Sequence, residues 1–241
     1  MKNFISINGK TTELTDEQLR ELGLLPDTLD KQIIDELSEI VRSGKAREFF
    51  KIHRVVQIGG YELEPIGFDC ETIDDDFPFA DWETEHTITL MAKTLLPARR
   101  MHDGACERGW IDTELREYLN EEFINELPSE LVAHIRTVEK ITHNSKGEVF
   151  KTKDRLFLPS ESELFGSAIY SDYEDGERYE AFANRDARKR FNEDGDSCWY
   201  WTRSANGGNS TAFATVHSGG GTSTASASHA TGRVPLCLCF S

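Results

Sequence analysis

Between Ser204 and Gly232, 25 of 29 residues are Gly, Ser, Thr, Ala or Asn; the exceptions are Phe213, Val216, His217 and His229. A run of that composition is ordinarily a flexible linker, because it has too little apolar surface to offset the entropy of ordering it. Its flanks demand otherwise. Trp199, Tyr200 and Trp201 precede it, and Val234, Leu236, Leu238 and Phe240 close it. Residues of that size build cores, so the run is expected to be an ordered surface gripped at both ends. No Asp or Glu lies beyond Asp196, although the chain carries 43 of them.

That imbalance matters because the whole chain has a formal charge of -16. Nucleic acid and anionic membrane surfaces repel such a protein, so neither is expected as a partner. No apolar run is long enough to span a bilayer, and MKNFISINGKTTE lacks the apolar core of a secretory signal. Five cysteines (Cys70, Cys106, Cys198, Cys237 and Cys239) form no paired framework, which fits a reducing compartment of synthesis. The 241 residues suit one domain with an appendage.

Residues 1–50 read as a helical N-terminal appendage. Thr15 and Gln18 resemble a capping box, and Ile33, Ile34, Leu37, Ile40 and Val41 recur at helical spacing from Asp27 to Arg42, where Ser43-Gly44 ends the helix. Such a segment could pack on the main domain, or serve as an arm for homo-oligomerisation or attachment to a larger assembly. From His53 the period changes. Val55–Ile58 and Tyr61–Ile66 flank Gly59-Gly60 as a hairpin, and Thr87–Met91 is a further strand. Thr72–Trp82 reads as an acidic surface loop, since Asp74-Asp75-Asp76 lacks the ligand spacing of a calcium loop. Ile111–Leu127 is a helix with Asp112 near its start, Pro128 breaks it, and Ser129 caps a second helix to Ile135.

Thr137–Thr142 and Val149–Thr152 then form a hairpin, Arg155–Leu158 a buried strand and Ser160–Glu163 a helical turn, while 171–197 is a polar surface excursion. Strands at Trp199–Arg203, Ala212–Val216, Thr222–Ser228 and Val234–Phe240 complete the chain. Alternation places Trp199, Trp201 and Arg203 on one face and Tyr200 and Thr202 on the other; in the last strand it separates Val234, Leu236, Leu238 and Phe240 from Cys237 and Cys239.

Five short motifs stand in order: Gly109-Trp110, Leu115-Arg116 with Leu119-Asn120, Asp154 to Ser160 (DRLFLPS), Trp201-Thr202-Arg203-Ser204, and Gly232-Arg233-Val234-Pro235. Over about Val55–Ser241 this order resembles a bacterial and phage domain of uncharacterised function that shows W…LR.WLN, D.(V/L)FLLS, WWLRS and GVRP. The closing motif departs from that pattern, with Arg and Val exchanged. The resemblance implies an α+β domain of C-type-lectin-like fold over 51–241, related to formylglycine-generating enzymes.

It is also similar to the variable proteins of diversity-generating retroelements, in which template adenines near the C-terminus are rewritten. Changing both adenines of an Asn codon never yields Lys, Glu, Gln, Met or Trp, and none of these stands between Thr202 and Gly232. The function this implies is non-enzymatic adhesion or receptor recognition, with no cofactor, through a diversified surface at about 198–233. The expected partner is a protein or glycan ligand on a cell surface, and the setting a phage virion to which the N-terminal arm attaches the domain.

Candidate ligand-binding positions are Tyr200, Thr202, Ala212, Phe213, Thr215, His217, Thr222, Thr224, Ser226, His229 and Thr231. Small residues there tolerate replacement on a rigid frame, and aromatic groups give contact area at low entropic cost. His217 and His229 have no third ligand at a metal spacing. Cys237 and Cys239 carry one alternative, a formylglycine-generating-type enzyme with a metal-binding thiol pair, against the plainer reading of buried inert thiols; an invariant structural phage protein is the other. His102-Asp103 could open a catalytic dyad, but sequence neighbours rarely face each other and no nucleophile is apparent. Gly219-Gly220-Gly221 lacks the Lys and helix of a phosphate loop and reads as a turn.

Overall fold

The structure is a computed structural model that describes residues 3–7, 10–14, 28–52, 54–74 and 86–241. It is an α+β arrangement of antiparallel sheets. Near the start, β1 (Asn3–Ile7) pairs with β2 (Lys10–Leu14). This corrects the expectation of helix throughout 1–50; the β-branched alternation of FISI and KTTEL suits a pleat better than a helix. The Thr15–Gln18 capping box lies outside the described residues.

The amphipathic helix forms as its spacing predicts. It is α1 (Thr28–Arg42), and Gly44 in the left-handed region (φ 70°) stops it. A second helix, α2 (Ala46–Ile52), follows. Neither belongs to a detached arm. Ile34, Leu37, Val41, Ala46 and Phe50 are buried in the main core. The apolar face expected to serve oligomerisation or attachment is thus consumed internally.

The sheet that organises the molecule runs β10-β16-β6-β4-β3, with β7 also pairing β16. In chain order these are β3 (Val56–Ile58), β4 (Tyr61–Phe68), β6 (Ile88–Ala92), β7 (Ile135–Arg136), β10 (Leu156–Phe157) and β16 (Cys237–Phe240). Gly59 and Gly60 both take positive φ (59° and 80°), the turn that matches the twist of a two-residue hairpin. The sheet is buried on both faces. Leu63, Leu90, Leu156, Leu238 and Phe240 point into one core, with Trp110 and Trp201; Ile66, Met91, Phe157, Cys237 and Cys239 point into the other, with Tyr179 and Tyr200. Continuous apolar runs such as ITLMA and CLCF are what a strand covered on both sides requires.

A second sheet joins β5 (Thr72–Ile73), β8 (Val138–His143) and β9 (Val149–Asp154). Thr72 and Ile73 are therefore strand, not loop; Asp74 pairs with Lys153 at 2.9 Å, and residues 75–85 lie outside the described set. The expected helix at 111–127 is present but irregular. A 3₁₀ turn (Gly109–Asp112) leads into α3 (Glu114–Glu117), capped by the Thr113 side chain, then a π turn (Tyr118–Glu122) and a 3₁₀ turn (Phe123–Glu126). After Pro128 comes α4 (Ser129–His134); the Ser129 hydroxyl bonds Glu130 and does not cap it.

Next, α5 (Glu161–Phe165) opens on a full capping box from Ser160 to Glu163. The stretch 171–197 is more than a surface excursion, since Asp175, Tyr179, Phe182 and Arg190 are buried. Within it β11 (Arg190–Phe191) pairs with β12 (Ser197–Cys198). The serine-rich segment then forms its own antiparallel sheet of β13 (Tyr200–Asn206), β14 (Asn209–Val216) and β15 (Thr222–Ser226).

Candidate functional site

The C-terminal sheet is fastened from below before it offers anything to solvent. Trp201 is buried and its Nε1 donates to Arg99 O (2.8 Å); the Tyr200 hydroxyl donates to Arg188 O (2.7 Å) and the Thr202 hydroxyl to Ala214 O (2.7 Å). Between Trp201 and Ala205 the register with β14 shifts. That irregularity breaks the alternation the sequence suggests. Arg203 does not join Trp201 in the first core but turns to α5. Its guanidinium grips both oxygens of Glu163, with Nη2–Oε1 at 2.8 Å and a second short contact from Nη1 to Oε2, and also donates to Leu158 O (3.0 Å) and Asp175 O (2.9 Å).

Glu163 is the centre of a buried polar seam. Lys140 Nζ lies 3.3 Å from its Oε1, donates to Tyr179 Oη (3.0 Å) and bonds Glu71 at 2.5 Å; the Tyr179 hydroxyl donates to Glu71 Oε1 (2.6 Å). Burial alone would raise the Glu163 pKa, but Arg203 and Lys140 outweigh it and bring the carboxyl down to about 2. Burial pushes the Tyr179 phenol well above its ordinary value. Burial also raises Asp175, against the opposing pull of Arg203 and His143. His143 donates its backbone amide (2.9 Å) to Asp175 Oδ1 and holds Nδ1 2.8 Å from the same oxygen.

A neighbouring carboxylate reaches the serine-rich sheet itself. Glu161 is fully buried, and its Oε2 accepts from the amides of Ile169, Tyr170 and Ser171 and from the Ser171 hydroxyl at 2.9–3.0 Å. Its Oε1 accepts from the Thr222 hydroxyl (2.7 Å). One side chain thus ties the loop after α5 to β15.

Beside the seam lies a cleft of about 610 Å³ between the end of β4, β8 and residues 174–180. Glu71, Lys140, Glu163 and Arg203 on its wall are already paired with each other. Cys70 also lines it; the residue is exposed at the rim, yet crowding around the sulfur desolvates the thiolate and raises that thiol to about 11. A thiol so protonated is a poor nucleophile near neutral pH. Glu71, Lys140, Glu163 and Arg203 form a compensated ion network along the cleft wall.

The five motifs of the sequence prove to be framework. Trp110 Nε1 donates to Asp154 Oδ2 (2.9 Å) and Arg116 Nε to Asp154 Oδ1 (2.6 Å). The Asn120 side chain accepts from the amides of Arg155 (2.8 Å) and Leu156 (3.1 Å) and donates to Leu156 O (2.8 Å). In the closing motif Val234 is buried while Arg233 pairs at the surface with Glu193, so the exchanged residues suit their places. Gly232 has no room for a side chain: a Cβ there would stand 2.2 Å from Trp201 Nε1 and 2.7 Å from the Trp199 ring.

A family model described as "Domain of unknown function (DUF6273)" matches residues 85–241. The chain belongs to the DUF6273 family. The DUF6273 stretch contains the C-terminal sheet, the seam apart from Glu71, and β6, β7, β10 and β16, while α1, α2, β3, β4 and Glu71 precede it and complete the same sheet, core and seam. Neither curated proteins nor solved structures give a match.

Within the DUF6273 segment the structure divides the eleven candidate positions. Tyr200, Thr202, Ala212, Phe213 and Thr215 are buried, which corrects their assignment as contact residues: they build the two cores and the strand ladder. Thr222 and His217 are half-buried and structurally engaged. His217 Nδ1 accepts from Gly219 N (2.9 Å) inside the glycine turn, and Arg185 lies 3.2 Å from its Nε2. Thr224, Ser226, His229 and Thr231 are exposed, together with Ser228 and Ala230. Trp199, half-buried, stands edge-on to both Trp201 (5.0 Å) and His229 (5.5 Å). Its neighbourhood to His229 is a contact across a loop that no sequence period announces.

Cys237 and Cys239 do not support the metal-thiol alternative. Both are wholly buried in the second core, and burial pushes both thiols far up. His102 and Asp103 do not form a dyad: Asp103 pairs with Arg100 at 3.0 Å, and His102 Nδ1 lies 4.0 Å from Glu114.

Proposed function

We propose that this chain is a non-enzymatic binding domain that presents the outer surface of β15 and the turn after it to a protein or glycan on a cell surface. One observation carries the reading. Thr224, Ser226, Ser228, His229 and Thr231 are exposed beside the half-open Trp199 ring, with no Asp, Glu, Lys or Arg among them, and Ser226 bonds Ser228 (3.1 Å) and His229 bonds Thr231 (3.1 Å). Hydroxyls and an aromatic face on a rigid frame suit adaptable recognition. A C-type-lectin-like scaffold is part of the proposal; the support is a late strand, β16, inserted at the centre of the main sheet, with the C-terminal sheet displayed beyond it.

Diversification belongs to the same proposal in a narrowed form. Substitution is affordable only at the exposed positions, because Tyr200, Thr202, Phe213 and Thr215 are structural. A near-copy of the codons for 200–232 beside a reverse-transcriptase gene, differing at adenines of exposed positions, is the expected genomic companion.

The direct test is binding of labelled protein to arrayed glycans and to bacterial cells, against a Thr224→Arg/Ser226→Arg variant. Wild type is expected to bind at least one target, and the variant to lose that signal while its melting temperature is unchanged. A signal that both proteins share, or none from either, would count against this surface.

A further inference from the structure

The C-terminal sheet ends on β15, whose only partner among the described residues is β14. Two bonds fix the phase of that ladder. His217 N donates to Gly221 O and Ala227 N to Thr211 O, each at 2.8 Å, and between them Thr215 faces Ser223 and Phe213 faces Ala225. In an antiparallel ladder alternate pairs exchange both bonds. The odd-numbered residues of β15 therefore bond to β14, and Thr222, Thr224 and Ser226 turn their amides and carbonyls outward. Ser226 O accepts from His229 N (2.9 Å); the rest form an open row.

Natural sheets guard such rows with charge, proline, a bulge or a covering helix. Two other edges, those of β9 and β3, are guarded in this way. β9 carries Lys151 and Lys153, and β3 is three residues long beneath α1, where Gly59 N bonds Asp30 Oδ2 at 2.9 Å. By contrast β15 reads TSTAS, with no charge, no proline and no register shift.

The chemistry of this row fits a second copy of the chain. A protein of net charge -16 repels itself over most of its surface. Beyond Asp196 there is no carboxylate side chain, so the strip Thr222–Thr231, exposed at Thr224, Ser226 and 228–231, brings no acid of its own to a meeting of two copies. The row is also self-complementary: a two-fold axis at Thr224 sets Thr224 against its own copy and Thr222 against Ser226, all three in the outward phase. We propose that two copies pair antiparallel through β15 about that axis, joining their C-terminal sheets into one. The pairing doubles the exposed hydroxyl surface on a single face, which raises avidity without any new contact to a ligand.

Sedimentation analysis of the full chain over a wide concentration range tests this. A reversible dimer is expected. Thr224→Pro, which removes the central amide, and Thr224→Arg, which sets like charges across the axis, should each weaken dimerisation at least about tenfold. Thr224→Ser should leave it intact. Facing residues of a hydrogen-bonded pair have Cα atoms about 5.5 Å apart, within disulfide reach. Mild oxidation of Thr224→Cys should therefore give a covalent dimer that wild type and Gly208→Cys do not. A chain monomeric at every concentration would overturn the proposal. So would a dimer indifferent to both Thr224→Pro and Thr224→Arg, or an edge that accepts an added extended peptide while the chain stays monomeric.

Discussion

Glu163 is buried at the cleft wall, and its charge is tolerable because Arg203 and Lys140 reach it. Removing one partner of such a pair leaves an uncompensated ion in a low dielectric, which costs about 3–5 kcal/mol. Arg203→Met should lower stability by that amount in urea titrations, whereas Arg233→Met, at the surface, should barely move the midpoint. The pH dependence follows from the depressed carboxyl. Its folded pKa of about 2 lies below the ordinary 4.5, so its contribution is complete above that ordinary value and is lost as pH falls toward 2. Asp175, raised by burial, works in the opposite sense. The difference between wild type and Glu163→Gln isolates the Glu163 part, and it should shrink steadily in acid. The sequence shows Arg203 in a motif and Glu163 in a capping position, but nothing in it says that they meet. That pairing depends on the shifted register after Trp201, a feature without a local signature.

At the scale of elements, local physics is legible and its tertiary use is not. Ser43-Gly44, Gly59-Gly60, Pro128 and Ser160 each mark a boundary where the structure has one. The alternation of Leu236, Leu238 and Phe240 against Cys237 and Cys239 is realised, although two cores rather than a core and a surface receive the faces. For the same reason apparent contact residues such as Phe213 turn inward. The triple glycine at 219–221 is a turn, and its middle member is the most constrained, since it alone combines positive φ with a clash against backbone. Gly220 has φ 76°, and a Cβ there would stand 2.1 Å from Arg185 O. Gly220→Ala combines a left-handed residue with a backbone clash, so a loss of about 1–3 kcal/mol is expected from thermal melts. Gly208 also has positive φ (71°), with open space around its Cβ, and Gly208→Ala should cost less.

Across the whole molecule, the low-complexity segment is a load shared by both cores rather than an addition to them. Trp201, Phe213 and Ala227 sit in one and Tyr200 and Val216 in the other. Limited proteolysis of the native protein should therefore spare 200–240, and a chain ending at Ser204 should show no cooperative unfolding. Release of that segment from an otherwise stable remainder would contradict the shared core. Composition indicated an ordered tail because bulky residues flank it. The sequence leaves open whether the N-terminal helical segment packs on its own chain, since an amphipathic helix looks the same whether its partner is its own chain or another.

The strand β16 lies between β6 and β10, both of which precede it by many residues. On the ribosome, then, neither hydrophobic layer can close until the latest of these strands has emerged. The nascent polypeptide must wait with its central slot vacant and two strand borders unsatisfied, the state most prone to mispairing. Chaperone dependence during synthesis, rather than fragility afterwards, is the burden this topology imposes.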